Sequence, residues 1–316
     1  MTGGSGFIGT NLITNFLQDG WEVLNFDLAP PRNLEHDRLF RQGDIRNAPA
    51  LTAVVRDFRP DLVVHLAART DLDGDSLADY NANTIGVQNM IDAIRAAGTA
   101  ARAVFASSRY VHRTEVCPLR DDDYSPFTMY GESKVATEKI VRSAGLEIPW
   151  VLIRPTSIWG PWFRIPYRMF FDTVRRGHYV HPIGRQIGKS YGYVGNVVYQ
   201  IRRFLTVNAE TIDKRTFYVS DDGQMDVLDF ARMIQQAFGA PPVREVPLAF
   251  LQALACTGDV LKQIGISNPP LTTFRLRNLL TPMNYDMSAT SNVTGPAPYT
   301  LKEGVYTTVD WIRQHG

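Results

Sequence analysis

Tyr130 and Lys134 lie four residues apart in Tyr130-Gly131-Glu132-Ser133-Lys134. On a helix that spacing puts a phenol and an ammonium on one face, about 6 Å apart. A tyrosine with its ordinary pKa of about 10 is a weak base at neutral pH, and a fixed positive charge beside it favours the phenolate. Tyr130 could then carry a proton to and from a substrate. So short a pattern also arises by chance on an ordinary surface helix, so its surroundings decide its weight. Three features accompany it: a glycine-rich stretch over residues 3–9, a carboxylate at Asp27, and Ser108 in a Ser-Ser pair ending an apolar run.

These residues need elements to hold them. Gly3, Gly4, Gly6 and Gly9 precede Leu12, Ile13, Phe16 and Leu17 at helical spacing, so a phosphate-binding turn running into a helix is expected. Gly4-x-Gly6-x-x-Gly9 meets the dinucleotide fingerprint and Gly3-x-x-Gly6-x-x-Gly9 its short-chain variant. A strand over 21–26 ends in Asp27, placed to accept hydrogen bonds from an adenosine ribose. That favours NAD over its phosphorylated form, although Arg32 nearby would suit the phosphate; the plain alternative for Asp27 is a turn residue.

Strand and helix then alternate. The pattern predicts a strand at 38–42 ending before Asp44, a helix at 51–58 and a buried parallel strand at 61–68. Next come a helix at 83–97, a strand at 103–106 ending at Ser107-Ser108, the Tyr130 helix at 129–143 and a strand at 150–153. In such open sheets ligands sit at the carboxyl ends of the strands, where Ser108 stands. Asp44 is placed for an adenine amino group, and Ala67 and Ala68 leave room for a cofactor. His65, inside an apolar run, reads as a core histidine, and the triplet 121–123 as a solvated loop rather than a metal site.

The expected fold is α/β, a doubly wound parallel sheet of Rossmann type with a smaller, mostly helical substrate domain. Residues 1–155 with 191–220 form the first part, and 156–190 with 221–316 the second. The later helices fall at 167–176, 227–238, 248–264, 272–280 and 301–314. A glycine loop of this kind normally follows an apolar strand, and here the chain opens on the loop, so the first central strand is expected to be missing by truncation.

A net charge of +1 provides no field for nucleic acid, and no apolar run is long enough to span a bilayer. With no leader recognised, the expectation is a soluble cytoplasmic protein. Cys117 and Cys256 fit no metal-ligand spacing and are expected to be packed thiols.

The ordered set of Thr2-Gly3-Gly4-Ser5-Gly6-Phe7-Ile8-Gly9, Gly43-Asp44-Ile45-Arg46, His65-Leu66-Ala67-Ala68, Ser107-Ser108, Tyr130-Gly131-Glu132-Ser133-Lys134, Arg154-Pro155, Trp159-Gly160-Pro161 and Leu301-Lys302-Glu303-Gly304 resembles the extended short-chain dehydrogenase/reductase family, in its sugar-nucleotide epimerase/dehydratase branch. The resemblance implies NAD held by Gly3, Gly6, Phe7, Ile8, Gly9, Asp27, Asp44, Ile45, Leu66, Ala67, Ala68, Asn83 and Pro155, together with Tyr130 and Lys134. It implies Tyr130 as acid/base, Ser108 as its partner on the reacting oxygen, and Lys134 on the nicotinamide ribose while depressing the Tyr130 pKa. It further implies a nucleotide-diphosphate sugar as substrate and a homodimer joined by a four-helix bundle. No metal is implied.

Departures from the family narrow the chemistry. Where its dehydratases carry Asp-Glu after the catalytic Ser/Thr this chain has Arg109-Tyr110, and its decarboxylases carry glutamate where Tyr110 stands. Both reactions are disfavoured. His112 replaces a pocket tyrosine and reads as a packing residue rather than a substrate contact, Ser157 replaces an asparagine that meets the diphosphate, Gly195-Asn196 an Asp-Asp pair and Lys189 an arginine. Arg109 and Ser157 remain substrate-facing candidates, and diphosphate binding could be rebuilt from Lys189, Arg185 and Arg275. The leading reading is an NAD-dependent epimerase; the others are a net reductase or dehydrogenase of a carbonyl compound and a non-catalytic dinucleotide sensor.

Overall fold

The computed structural model describes residues 1–113, 120–164, 167–265, 269 and 271–316. Cys117 lies outside the described residues. The strands are β1 (Asn25–Asp27), β2 (Phe40–Gln42), β3 (Leu62–His65), β4 (Arg102–Ala106), β5 (Trp150–Pro155), β6 (Ser157–Trp159), β7 (Val180–Pro182), β8 (Gly188–Lys189), β9 (Tyr191–Tyr193), β10 (Arg215–Val219), β11 (Met225–Asp226) and β12 (Arg244–Val246). The helices are α1 (Phe7–Gln18), α2 (Ala48–Phe58), α3 (Asn81–Ala97), α4 (Met129–Ser143), α5 (Tyr167–Arg175), α6 (Val194–Thr206), α7 (Val227–Phe238), α8 (Leu248–Gln263), α9 (Thr273–Leu280), α10 (Ser288–Thr294) and α11 (Leu301–His315).

Strands β10, β5, β4 and β3 pair in that order, all parallel, with Val104 opposite Val64 on one side and Val151 on the other. The centres of β4 and β5 are buried, which is why both read as near-continuous apolar runs. One apolar cluster runs from Leu12 and Val104 to Phe230 and Val309, and another gathers Ile91, Phe105 and Leu152. Alternate residues of β4 thus feed two cores on opposite faces of the sheet, as a doubly wound α/β fold requires.

The place between β1 and β3 is held by one residue. Thr2 bridges Phe26 on one side and His65 on the other, both in parallel sense, so the strand expected ahead of the glycine loop is represented by Thr2 alone. The Met1 amino group donates to the Leu24 carbonyl at 2.8 Å, and a cavity of about 280 Å³ lies against Met1, Leu24, Leu62 and Val64.

Several element boundaries differ from expectation for local reasons. Helix α2 starts three residues early because the Asn47 side chain accepts the Ala50 N–H and caps it. The strand expected at 38–42 is shortened to β2, because the Asn33 side chain accepts the Glu35 N–H and turns residues 34–39 into a 3₁₀ helix. Helix α10 was not expected, because Ser288-Ala289-Thr290-Ser291-Asn292-Val293-Thr294 has little apolar periodicity. It is fixed by polar contacts instead, with the Thr290 hydroxyl donating to the Tyr218 carbonyl at 2.6 Å. Cys256, expected to pack, is exposed on α8.

Candidate active site

The glycine loop is built by close backbone approach. Gly3 has φ +75°, and a Cβ there would come within 2.5 Å of the Ala67 nitrogen; one at Gly9 would come within 2.3 Å of the Gly3 carbonyl oxygen. Both positions exclude a side chain, so the loop lies flat against the end of β3. Gly6 is the N-cap of α1 and provides no side-chain hydrogen bond, which leaves the helix N–H groups for an anion. Phe7 and Ile8 open that helix as half-buried residues. At the end of β1 the Asp27 carboxylate accepts the Ser5 N–H at 3.0 Å and the Ala29 N–H at 3.1 Å, holding the loop to the strand.

The other residues implied for the cofactor fall around this cradle. Leu66 donates its N–H to the Thr2 carbonyl at 3.0 Å, and the half-buried Ala67 and Ala68 follow it. Ile45 is buried against Gly86 of α3, and half-buried Pro155 ends β5. Asp44 is paired with Arg46, whose guanidinium holds the carboxyl below its usual range. Asn83 is fully buried and committed to protein. Its amide accepts from the Arg69 N–H at 2.8 Å and donates to the Arg69 carbonyl at 3.0 Å and to Ser133 at 2.9 Å. It ties the segment after β3 to α4.

Ser108 follows β4, and its hydroxyl accepts the Tyr110 N–H at 3.2 Å, turning the chain into a short 3₁₀ segment. Tyr130 lies in the first turn of α4, which Thr128 caps by accepting the Gly131 N–H at 3.0 Å. Ser108, Tyr130 and Lys134 are all buried. Burial pushes the Tyr130 phenol up to about 12, against the downward pull of the Ser108 hydroxyl and the Arg109 charge. This differs from the expected depressed phenol. The Lys134 ammonium is spent elsewhere, donating to the Ala106 carbonyl at 2.9 Å, while burial draws it down to about 8. In the protein by itself Tyr130 therefore holds its proton at neutral pH.

Behind these groups is a buried charged cluster that the sequence reading did not single out. Glu138 lies one turn beyond Lys134, so Tyr130, Lys134 and Glu138 repeat every four residues on α4. Its carboxylate accepts from the Ser107 hydroxyl at 2.6 Å, the Tyr124 hydroxyl at 2.9 Å and the Arg154 guanidinium at 2.8 Å through two nitrogens. Glu138 and Arg154 side chains are both 0% exposed. Burial alone would raise the Glu138 carboxyl; Arg154 and the hydroxyls outweigh it and hold the group below its usual range. Arg154 also meets His112 at 3.1 Å, so His112 is a buried packing partner rather than a pocket wall. Helix α4 thus grips the end of β4 twice, through Lys134 on Ala106 and Glu138 on Ser107.

On the substrate side, the Arg109 guanidinium lies 4.4 Å from the centre of the Tyr110 ring. Tyr110 meets Tyr130 edge-on, with ring centres 5.6 Å apart. Ser157 is buried in β6 and its hydroxyl draws on the Tyr167 phenol. The three cations expected to gather a diphosphate are placed differently. Lys189 is buried and donates to the Asn278 carbonyl at 2.7 Å and to that of Thr281, completing the carboxyl end of α9. Arg275 donates to the Pro269 carbonyl at 2.6 Å, and Arg185 stands exposed on the turn between β7 and β8. Asn196 is likewise internal, bonded to Asp221 at 2.7 Å. Among the described residues no group of His, Cys, Asp and Glu could hold a metal.

Comparison with known proteins identifies the family. Residues 1–217 match the model of the NAD dependent epimerase/dehydratase family. A 3-beta-hydroxysteroid dehydrogenase of Mycolicibacterium neoaurum is 30% identical, with 76% of this chain and 69% of the relative aligned. The N-acetyl-alpha-D-glucosaminyl-diphospho-ditrans,octacis-undecaprenol 4-epimerase of Escherichia coli O157:H7 is 26% identical over 100% of this chain and 95% of its own length. The solved UDP-glucose 4-epimerase of Thermus thermophilus, a complex with NAD, superimposes with a TM-score of 0.73 at 22% identity, covering 99% and 97% of the two chains. The glycine cradle and the uncapped start of α1 fit that cofactor's diphosphate. The chain is an enzyme of the NAD dependent epimerase/dehydratase family, with NAD as its cofactor.

Proposed function

We propose that the protein is a redox-neutral epimerase of a nucleotide-diphosphate sugar, working through a transient keto form, with Tyr130 as acid/base. The observation that carries this reading is the convergence of Ser108 and Tyr130 at the end of β4, with Lys134 fixed behind them. The cofactor supplies a hydride acceptor. In the forward half-reaction Tyr130 would first have to give up its own proton, a loss the positive charge of the bound oxidised cofactor would favour, and its phenolate would then take the carbinol O–H proton while the C–H hydride would leave for the cofactor. After the ketone turns over in the site, hydride and proton return to the other face, and no net oxidation remains. Ser108 orients the reacting oxygen, and the buried rings of Tyr80 and Tyr130 keep bulk water from it. The full-length alignment with the undecaprenol-linked epimerase supports a sugar diphosphate.

A second reading is a net dehydrogenase of a less polar alcohol. Two observations favour it: the hydroxysteroid dehydrogenase similarity, and the commitment of Lys189 and Arg275 to carbonyls rather than to an open anion site. A homodimer through α3 and α4 belongs to the first reading, supported by the exposed Ile85 on α3.

The experiment is to release bound NAD by denaturation, then assay nucleotide sugars and hydroxysteroids separately. An epimerase interconverts sugars with no added cofactor and accumulates no NADH. A dehydrogenase forms NADH in step with substrate. Tyr130→Phe should lower kcat by about 10²–10⁴-fold in either case; unchanged turnover would remove Tyr130 from the chemistry.

A further inference from the structure

Helix α8 carries its apolar residues on two sides. The inner side is ordinary: Leu251 and Ala255 are buried, and Gly258 lets the Leu271 carbonyl approach so closely that a Cβ would lie 1.8 Å from it. The outer side is also apolar. Phe250, Leu254, Thr257, Leu261 and the C-cap Ile264 repeat at spacings of three and four, and Phe250 is 52% and Ile264 70% exposed. No charged residue interrupts that stripe; Asp259 and Lys262 lie off it. On the neighbouring helix α9, Phe274 is 67% exposed and shares a face with Arg277. Several large apolar side chains exposed on two helices packed together mark a contact surface.

The charge around it indicates what it contacts. Over residues 241–280 there are four cations, Arg244, Lys262, Arg275 and Arg277, against two carboxylates. Both carboxylates are engaged: Asp259 accepts the Thr273 N–H at 3.2 Å, and Glu245 pairs with Arg232 at 2.8 Å. Arg244, Lys262 and Arg277 are exposed. A second copy docked face to face would bring these cations against their own copies, whereas an anionic lipid surface would neutralise them. With 16 residues and its inner side packed on the protein, α8 offers its outer face to an interface and is too short to cross a bilayer; no described helix is long and apolar enough to span a membrane.

We propose that the outer face of α8, with Phe274, seats the protein on an anionic membrane surface. The stripe enters the headgroup boundary and the exposed cations meet the lipid charge. This is independent of which reaction the site performs.

The test is sedimentation of the full-length protein with vesicles of phosphatidylcholine alone or mixed with phosphatidylglycerol. Several-fold more protein should sediment with the anionic vesicles, and added salt should release part of it. Phe250→Asp with Leu254→Asp should abolish binding, and Lys262→Glu with Arg277→Glu should abolish the preference for anionic lipid, both with unchanged circular dichroism and NAD content. Failure to bind either vesicle would overturn the proposal. So would undiminished binding by the Phe250→Asp, Leu254→Asp protein, or a dimer that this pair of changes dissociates while vesicle binding is absent.

Discussion

The two ends of the central sheet are built on opposite terms. At the carboxyl end of β4 and β5, the buried charges of Glu138 and Arg154 and the hydroxyls of Ser107 and Tyr124 are tied into one network. At the amino end of β1 and β3 a cavity of about 280 Å³ lies beside Met1 and Leu62, and Thr2 bridges the two strands nearer their carboxyl ends. A buried ion pair is weak evidence for stability, because desolvation offsets most of its attraction. Its place directly behind Ser108 and Lys134, where it holds Ser107 at the end of β4, indicates that it fixes position.

The sharpest break of this contrast is Glu138→Ala, which leaves Arg154 charged, buried and without its carboxylate. Denaturant melts should show a loss of about 3–5 kcal/mol. Glu138→Gln keeps the shape and removes the charge that supports the Lys134 ammonium. Lys134 already sits near 8, with burial lowering it and Glu138 raising it. The alkaline limb of kcat/KM should therefore move to lower pH, a shift that misfolding alone would not produce. An unchanged profile would sever Glu138 from Lys134.

Next in size is Gly3→Ala. The substitution meets both a left-handed φ of +75° and the Ala67 nitrogen at 2.5 Å, so loop and β3 must separate. A loss of about 1–3 kcal/mol is expected, with loss of retained NAD measured after denaturation. Retention of the cofactor at full occupancy would show that the loop need not lie against β3.

What could be read from the sequence, and what could not, follows the same division. Buried parallel strands and amphipathic helices are local patterns, so β4, β5 and α4 were legible, as were Tyr130, Lys134 and Ser108. The partnership of Glu138 with Arg154 was not, because it joins a helix to a strand across 16 residues and shows no spacing rule. Lys189 was read as an anion ligand because a sequence displays its charge and not the open carbonyls at the end of α9 that receive it. Asn83 was legible as important, but its hydrogen bonds bind Arg69 and Ser133 rather than a ligand. Helix α10 stayed hidden because threonine hydrogen bonds, not apolar periodicity, hold it in place.

A third prediction concerns pH in the cofactor-free protein. Lys134 and Lys189 are drawn to about 8 from the ordinary lysine value of 10.5, mainly by burial. Between pH 8 and 10 the unfolded chain therefore binds more protons than the folded one, and stability should rise with pH, by at most about 1.4 kcal/mol per unit for each lysine. Above 10 the sign reverses. Burial pushes Tyr130 and Tyr218 up to about 12, so the unfolded chain gives up those protons first. Thermal melts from pH 7 to 11 should show a maximum near 10, and Lys134→Met should flatten its rising side.

The smallest effect compares two sites at one level of the sheet, one beside the cavity and one in the close-packed core. Val64 on β3 lines the cavity, while its register partner Val104 on β4 is 0% exposed in the close-packed core. A methyl group added to Val64 has empty volume to enter, so Val64→Ile should lie within about 0.5 kcal/mol of the parent. Added to Val104 it must displace packed neighbours, so Val104→Ile should cost about 1–3 kcal/mol. Because the two residues face each other across one ladder, strand propensity cancels between them and packing is left as the variable. Equal losses from the two substitutions would mean that the space beside Val64 is as tightly filled as the core around Val104.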